Sequence, residues 1–221
     1  MNTGELVPEG DTVTAVLSVV CPVHNEEACV PLFYERLIAA LRPLEGSLDL
    51  ELLFLNNRST DGTVAAITRL RNADPRVHLL TLSKNVGYQA SVLTGLRHAT
   101  GAAIVVIDVD CEDPPELIPV FVEHWRNGRD LVYGERRNRP EPGWLTGARR
   151  LFYRLNRSIA DSDIILDMAE FCLMSKAVRD AALDNRNTFP FVRAELSAVG
   201  FARTAIPYDR APGSRARATT D

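Results

Sequence analysis

The sequence predicts an α/β domain with a mostly parallel central sheet and helices on both faces. Three observations predict it. Short β-branched and aliphatic runs alternate with stretches whose apolar residues recur at helical spacing. The strand-like runs are almost continuously apolar, as in parallel sheets covered on both sides. Polar motifs follow these runs, and open α/β sheets bind ligands beyond the carboxyl ends of their strands.

The first strand is expected over 16–22 (VLSVVCP), closed by a proline. A helix over 26–41 follows, with Val30, Phe33, Leu37 and Leu41 on one face. A strand over 50–55 leads into a turn-rich loop over 57–62 and a helix over 63–71. The next strand spans 77–82, and a helix over 89–99 ends near Gly101. The run 102–108 is a strand made almost wholly of Ala, Ile and Val. A helix over 115–127 carries prolines suited to its first turn. A short strand over 131–134 comes next; after Arg136 the pattern loosens, and from Asp209 the chain is polar without a period. Residues 1–14 read as a flexible arm, 15–208 as one domain, and 209–221 as a polar, disordered tail.

A length of 221 residues suits one compact domain, and 46% hydrophobic with 24% charged residues is ordinary for a globular protein. A net charge of −4 supplies no basic field for nucleic acid. Arginines are nevertheless concentrated at 136, 137, 139, 149, 150, 154 and 157, which points to an anionic partner at one place. Cys21, Cys29, Cys111 and Cys172 form no Cys-x-x-Cys pair and no zinc spacing. Cys21 and Cys111 lie beside strands and read as packed, reduced thiols, so a cytoplasmic location is expected. Neither a secretory leader nor an apolar run of the ~18 residues that span a bilayer is visible.

The sharpest chemical signal is Asp108-Val109-Asp110-Cys111-Glu112-Asp113, directly after a buried strand. Along an extended chain Asp108, Asp110 and Glu112 point to one side. Such an oxygen-rich edge suits Mg²⁺ or Mn²⁺. Without a cation a diphosphate would be repelled there, by roughly 4 kcal/mol per like-charge pair at ~4 Å and an effective dielectric of ~20. The competing reading is a solvated acidic loop, with Asp113 and Glu116 assisting the next helix start.

The other strand ends offer weaker signals. In 22–27 (PVHNEE) Asn25 suits a helix cap, both glutamates favour the helix's positive end, and Glu26 suits a base or ribose. Asn57 can exchange hydrogen bonds with a nucleobase, although Ser59 and Asp61 in that loop suit capping. In 83–89 (SKNVGYQ) Gly87 permits close backbone approach and Lys84 brings charge, without matching a phosphate loop. Asp167 and Glu170 stand as candidate bases or as exposed loop acids. Residues 149–159 read as a basic amphipathic helix, either lying peripherally on an anionic membrane or packed on the sheet.

The order of VVCPVHNEE, LNNRSTDGT, LSKNVGYQASVLTGLRHATG, VIDVDCEDPPELIP, LVYGERRNR and RRLFYRLNR resembles family 2 inverting glycosyltransferases. Within them it looks most like the polyprenyl-phosphate sugar transferases of the dolichol-phosphate mannosyltransferase type, over residues 17–207. The resemblance implies a Rossmann-like GT-A fold, a UDP- or GDP-linked sugar donor and Mg²⁺ or Mn²⁺. It implies that Pro22, His24, Glu26, Asn57, Asn85, Gly87 and Asp108 contact the nucleotide sugar. It assigns Asp108, Asp110 and Glu112 to metal and diphosphate, Arg136 to phosphate, and Glu170 to the acceptor region, making Asp110, Glu170 and Arg136 the catalytic candidates. Several positions depart from the pattern. Asn56 and Asn57 replace an acidic pair, Glu112 replaces glutamine, Glu170 aspartate and Cys172 arginine, and Gly213-Ser214-Arg215 is a degraded form of a glycine-serine-lysine segment.

The expected reaction is a single displacement with inversion, polyprenyl phosphate being the first acceptor and a small-molecule hydroxyl or amine the alternative. A non-catalytic nucleotide-sugar-binding module is the reading from another class, favoured by Asn56, Asn57 and Cys172. A nucleotidyltransferase is disfavoured, because VHNEE stands where its glycine-rich, basic loop would be.

Overall fold

The computed structural model describes residues 14–137, 168–184 and 201–210. In chain order they form β1 (Val16–Val23), α1 (Cys29–Leu41), β2 (Asp49–Asn56), α2 (Thr63–Ala73), β3 (Val77–Thr81), α3 (Tyr88–His98), β4 (Ala103–Val106), α4 (Ile118–Arg126), β5 (Leu131–Arg136), β6 (Met168–Ser175), α5 (Lys176–Asp184) and β7 (Arg203–Tyr208). Short 3₁₀ turns cover Arg42–Leu44 and Pro115–Leu117.

The seven strands make one sheet in the order β3-β2-β1-β4-β6-β5-β7. Four of its pairings are parallel, and β6 runs antiparallel to both β4 and β5. The expected mostly parallel sheet is therefore present with one reversed strand. Connections from β1 run to β2 on one side while β4 lies on the other, so the sheet reverses its winding at the β1–β4 boundary, where ligand crevices form.

Alternation within each strand builds two cores. Leu17, Val19, Cys21, Leu52, Phe54, Val105, Phe171 and Leu173 face one cluster, closed by Phe33 and Leu37 of α1, Ile67 of α2 and Phe121 of α4. Val20, Leu53, Leu55, Ile104, Val106, Cys172 and Met174 face the other, closed by Val92 and Leu96 of α3 and Val178 of α5. Helices thus cover both faces, as the apolar strands require. All four cysteines are free and buried, in agreement with packed thiols.

Several local expectations are corrected. Asn25 does not cap α1: it adopts φ 56°, and its Oδ1 accepts a 2.8 Å hydrogen bond from the Thr60 amide, tying two loops together. The first-turn amides of Cys29 and Val30 donate instead to the Glu26 carbonyl. Glu27 also serves the loop, accepting from the Gly62 amide at 2.9 Å. Glu170 lies within β6 rather than in a loop of acids. The edge strand β7 was not expected. Residues 149–159, Asp167, Arg139 and 213–215 lie outside the described residues, as do 1–13 and 211–221. Among the described residues no helix is long and apolar enough to cross a membrane.

Candidate active site

A cleft of about 430 Å³ opens beyond the carboxyl ends of β1 and β4, beside the start of α3. That size lies within the range that holds small ligands and cofactors. Pro22, His24, Glu26, Asn57, Asn85, Gly87, Asp108 and Asp110, all expected from sequence, line it. Glu112, Arg136 and Glu170 are not among its lining residues.

One wall is a lattice of amides. Asn57, buried at the end of β2, donates from Nδ2 to Asn85 Oδ1 at 3.0 Å and accepts at Oδ1 from the Val86 amide at 2.9 Å. Asn85 Oδ1 also accepts from the Gly87 amide at 2.9 Å. His24 Nδ1 lies 3.0 Å from the Asn57 carbonyl oxygen, so Nδ1 carries the hydrogen. In the neutral ring Nε2 is then an acceptor, 3.5 Å from Asn85 Nδ2. Asn56 is buried as well, accepting from the Ser59 amide at 2.9 Å. The two asparagines that replace the family's acids are thus built into the loop architecture. Gly87, at φ 82°, lets the chain turn into α3 in a conformation that side chains resist.

The opposite wall carries the acids. The alternation expected to align Asp108, Asp110 and Glu112 is not what brings them together. β4 ends at Val106, residues 109–110 form a turn, and Cys111 follows at φ 63°, so the chain does not stay extended through the three acids. Asp108 and Asp110 nonetheless both line the cleft. Asp108 Oδ1 accepts from the Tyr88 hydroxyl at 2.7 Å. Burial pushes Asp108 up to about 7; the Tyr88 hydrogen bond opposes that rise, and the charges of Asp110, Asp113 and Glu170 add to it. Among the described residues no three or more His, Cys, Asp or Glu converge as a metal-holding group. Glu112 pairs with Arg210, whose Nη1 lies 2.5 Å from Glu112 Oε2.

These residues nonetheless fit a hard cation. The donors are carboxylate oxygens, Asp108 is crowded by like charge, and an arginine from the distal end of the described chain already neutralises Asp110 and Glu112.

The sequence reading missed Asp113, Tyr88, Ser91 and Arg210. Asp113, expected at a helix start, is fully buried. Its Oδ1 accepts from the Tyr208 hydroxyl at 2.5 Å, and Arg136 Nη2 lies 3.6 Å from Oδ2. Arg136 also donates from Nε to the Tyr208 hydroxyl at 3.3 Å. Ser91, three residues after Tyr88 on α3, lines the cleft with its hydroxyl buried and no hydrogen-bond partner among the described residues. The i, i+3 spacing after Gly87 was the available signal for the Tyr88–Ser91 face. Behind it, Gln89 Nε2 donates to Glu170 Oε1 at 3.3 Å.

With this geometry in view, the relatives of the chain are informative. The glycosyl transferase family 2 model matches residues 18–184. The chain is 38% identical over 194 residues to the glycosyltransferase YkcC of Bacillus subtilis, covering 87% of this chain and 59% of that protein. It is 36% identical over 200 residues to the bactoprenol glucosyl transferase of Shigella phage SfV, covering 88% and 63%. It thus spans about three fifths of the length of these curated relatives. Two solved structures share its architecture at low identity. One is glucosyl-3-phosphoglycerate synthase from Mycobacterium tuberculosis in complex with Mn²⁺, UDP and glucosyl-3-phosphoglycerate (TM-score 0.57, 23% identical, 89% of this chain and 71% of that chain). The other is the mannosyltransferase PcManGT from Pyrobaculum calidifontis in complex with GDP-Man and Mn²⁺ (TM-score 0.60, 20% identical, 89% and 56%). From the matched family model, the identity to these relatives and the shared fold, the chain belongs to glycosyl transferase family 2 and is built on the GT-A fold.

Proposed function

We propose that this chain transfers a sugar from a UDP- or GDP-linked donor to polyprenyl phosphate, with inversion at the anomeric carbon. The observation that carries the reading is the two-walled cleft. Hydrogen-bonding amides of Asn57 and Asn85 stand on one side for the nucleoside, and Asp108 and Asp110 on the other for the diphosphate end. Relatives named bactoprenol glucosyl transferases support the acceptor class and favour glucose.

Asp108 and Asp110 would hold Mg²⁺ or Mn²⁺, joined by Glu112 once its arginine partner withdraws. When bound, that ion supplies positive charge to the departing nucleoside diphosphate. The amide lattice orients the nucleoside before reaction, so little ordering remains for the transition state. Ser91 offers a bound ligand a hydroxyl that has no hydrogen-bond partner among the described residues. Arg136 acts through Asp113 and Tyr208, fixing the end of β7 beside the acids.

The acceptor decides what Glu170 does. A phosphate monoester is already largely ionised at pH 7, its second pKa being ~6, and needs no protein base. A hydroxyl acceptor does need one, and Glu170 is the candidate. A small-molecule hydroxyl acceptor is the second reading, favoured by Cys172: it is buried where relatives of this type commonly hold an anionic acceptor with arginine.

The test is a panel of UDP- and GDP-sugars with Mn²⁺ and polyprenyl phosphate in vesicles, read as released nucleoside diphosphate and glycosylated lipid. Glu170→Gln should keep most turnover with the phosphate acceptor. Loss of about 100-fold or more there, matching its loss with a hydroxyl acceptor, would move the assignment to hydroxyl chemistry. Absence of lipid product with every donor would refute the acceptor.

A further inference from the structure

Arg210 follows β7 and spreads one guanidinium over three carboxylates. Its Nη1 lies 2.5 Å from Glu112 Oε2, its Nε 3.3 Å from Asp113 Oδ1 and its Nη2 3.5 Å from Asp110 Oδ2. A planar fork with several N–H donors suits bridging separate carboxylates, which a compact ammonium does less well. Asp110 and Glu112 are also the oxygens that the reading above gives to a divalent ion, so this inference rests on that reading.

We propose that Arg210 is an internal cation that occupies the carboxylate cluster until a divalent ion displaces it, so that loading the ion frees the guanidinium. Two cations compete for one set of oxygens, and a small divalent ion demands a tight, near-octahedral shell that leaves no room for a guanidinium bonded to the same atoms.

The structure makes withdrawal feasible. Arg210 is about one-third exposed and lies two residues beyond the end of β7, so it can leave without opening a core. The one fully buried member of the cluster, Asp113, is not abandoned when it goes. The Tyr208 hydroxyl keeps its 2.5 Å hydrogen bond, and Arg136 remains 3.6 Å away. Stranding a buried carboxylate is the cost that usually locks such a bridge, and the Tyr208 hydrogen bond and the Arg136 charge reduce it. Division of labour between the two arginines follows: Arg136 belongs to the fixed Asp113 network, and Arg210 exchanges with the ion.

The experiment uses the full chain and Mn²⁺ alone, without nucleotide. Electron paramagnetic resonance of free Mn²⁺ gives the affinity of wild type, Arg210→Gln and Arg210→Lys. Trypsin digestion of wild type, followed by mass spectrometry, reports cleavage after Arg210. Arg210→Gln should bind Mn²⁺ about tenfold more tightly or better, with Arg210→Lys between it and wild type. Mn²⁺ should also raise wild-type cleavage after Arg210 several-fold over the EDTA control. Equal affinities would overturn the proposal. So would tighter binding by the variant with no change in wild-type cleavage, which would mean that Arg210 stays in place beside the ion. Should Arg210→Gln not fold, Arg210→Lys and the wild-type digestion decide the matter. Failure of wild type and folded variants alike to bind Mn²⁺ would refute the metal reading itself, a result distinct from equal affinities.

Discussion

Asn57→Asp restores the acid that similar transferases carry, and the structure predicts that it destabilises this chain. Asn57 Nδ2 donates to Asn85 Oδ1 at 3.0 Å, and a carboxylate would set an acceptor against that acceptor. Asn85 cannot escape by flipping its amide, because Oδ1 also receives the Gly87 amide at 2.9 Å. The carboxylate oxygen that takes the place of Nδ2 sits at a buried position and loses its partner, which costs about 1–3 kcal/mol. For a domain of this size ~2 kcal/mol lowers Tm by roughly 4–8 °C. The deficit should depend on pH. A protonated carboxyl regains a donor for Asn85 Oδ1, so the folded-state pKa of the new acid lies above its unfolded value of about 3.9. The penalty is then full at neutral pH and shrinks as pH falls towards that value. Thermal unfolding of wild type and variant by circular dichroism at pH 7 and pH 4 measures both. A variant as stable as wild type at pH 7, or one whose deficit is the same at both pH values, would refute the reasoning.

Two further expectations come from elsewhere in the fold. Hydrogen bonds from Arg76, working against burial and joined by the Tyr34 hydroxyl, lower the Asp74 carboxyl from 3.8 to about 2. Its contribution of ~2 kcal/mol is therefore present above pH ~4 and lost as pH falls through about 2. Acid titration of Asp74→Asn should lack that share of the wild-type stability loss between pH 4 and pH 2. Gly95 lets α3 approach the sheet so closely that a Cβ there would lie 2.4 Å from Val20 Cγ1 and 3.0 Å from Leu55 Cδ2. Val20 is β-branched and buried, so it yields poorly. Gly95→Ala should cost about 1–3 kcal/mol despite its better helix propensity, read as a lower urea midpoint at unchanged m.

Much of the fold was legible because its signal is local. Leu17 to Val23, Leu52 to Leu55 and Ala103 to Val106 are apolar runs that only a covered sheet can bury, and the helices between them keep a helical period. The strands that escaped notice have local reasons. β6 carries Glu170 in its middle, which broke the apolar run, and its face is shared with Gln89 of α3, a contact 81 residues distant. β7 contains Pro207, tolerable because β7 is the outermost strand, where a missing amide leaves a neighbour unpaired on one side only.

The cleft was legible as a set of strand-end residues, since the carboxyl edge of a parallel sheet gathers whatever follows its strands. Its internal logic was not. Alternation gave the wrong reason for grouping Asp108 with Asp110, because the strand stops at Val106 and the chain turns at 109–110. Asp113 looked like a helix-start acid because its partners, Tyr208 and Arg210, lie 95 and 97 residues later. No spacing rule reaches that far, and the arginine that matters to the cluster stood in a stretch whose polarity read as tail.

The most direct test of the account is calorimetric titration of UDP and GDP into the chain, with Mn²⁺ and with EDTA. One nucleotide should bind at least about tenfold more tightly with Mn²⁺, worth ~1.4 kcal/mol or more, and Asp110→Asn should abolish the difference while preserving the fold. Equal affinity with Mn²⁺ and EDTA, or an Mn²⁺ enhancement that survives in Asp110→Asn, would contradict the claim that these carboxylates join ion to diphosphate.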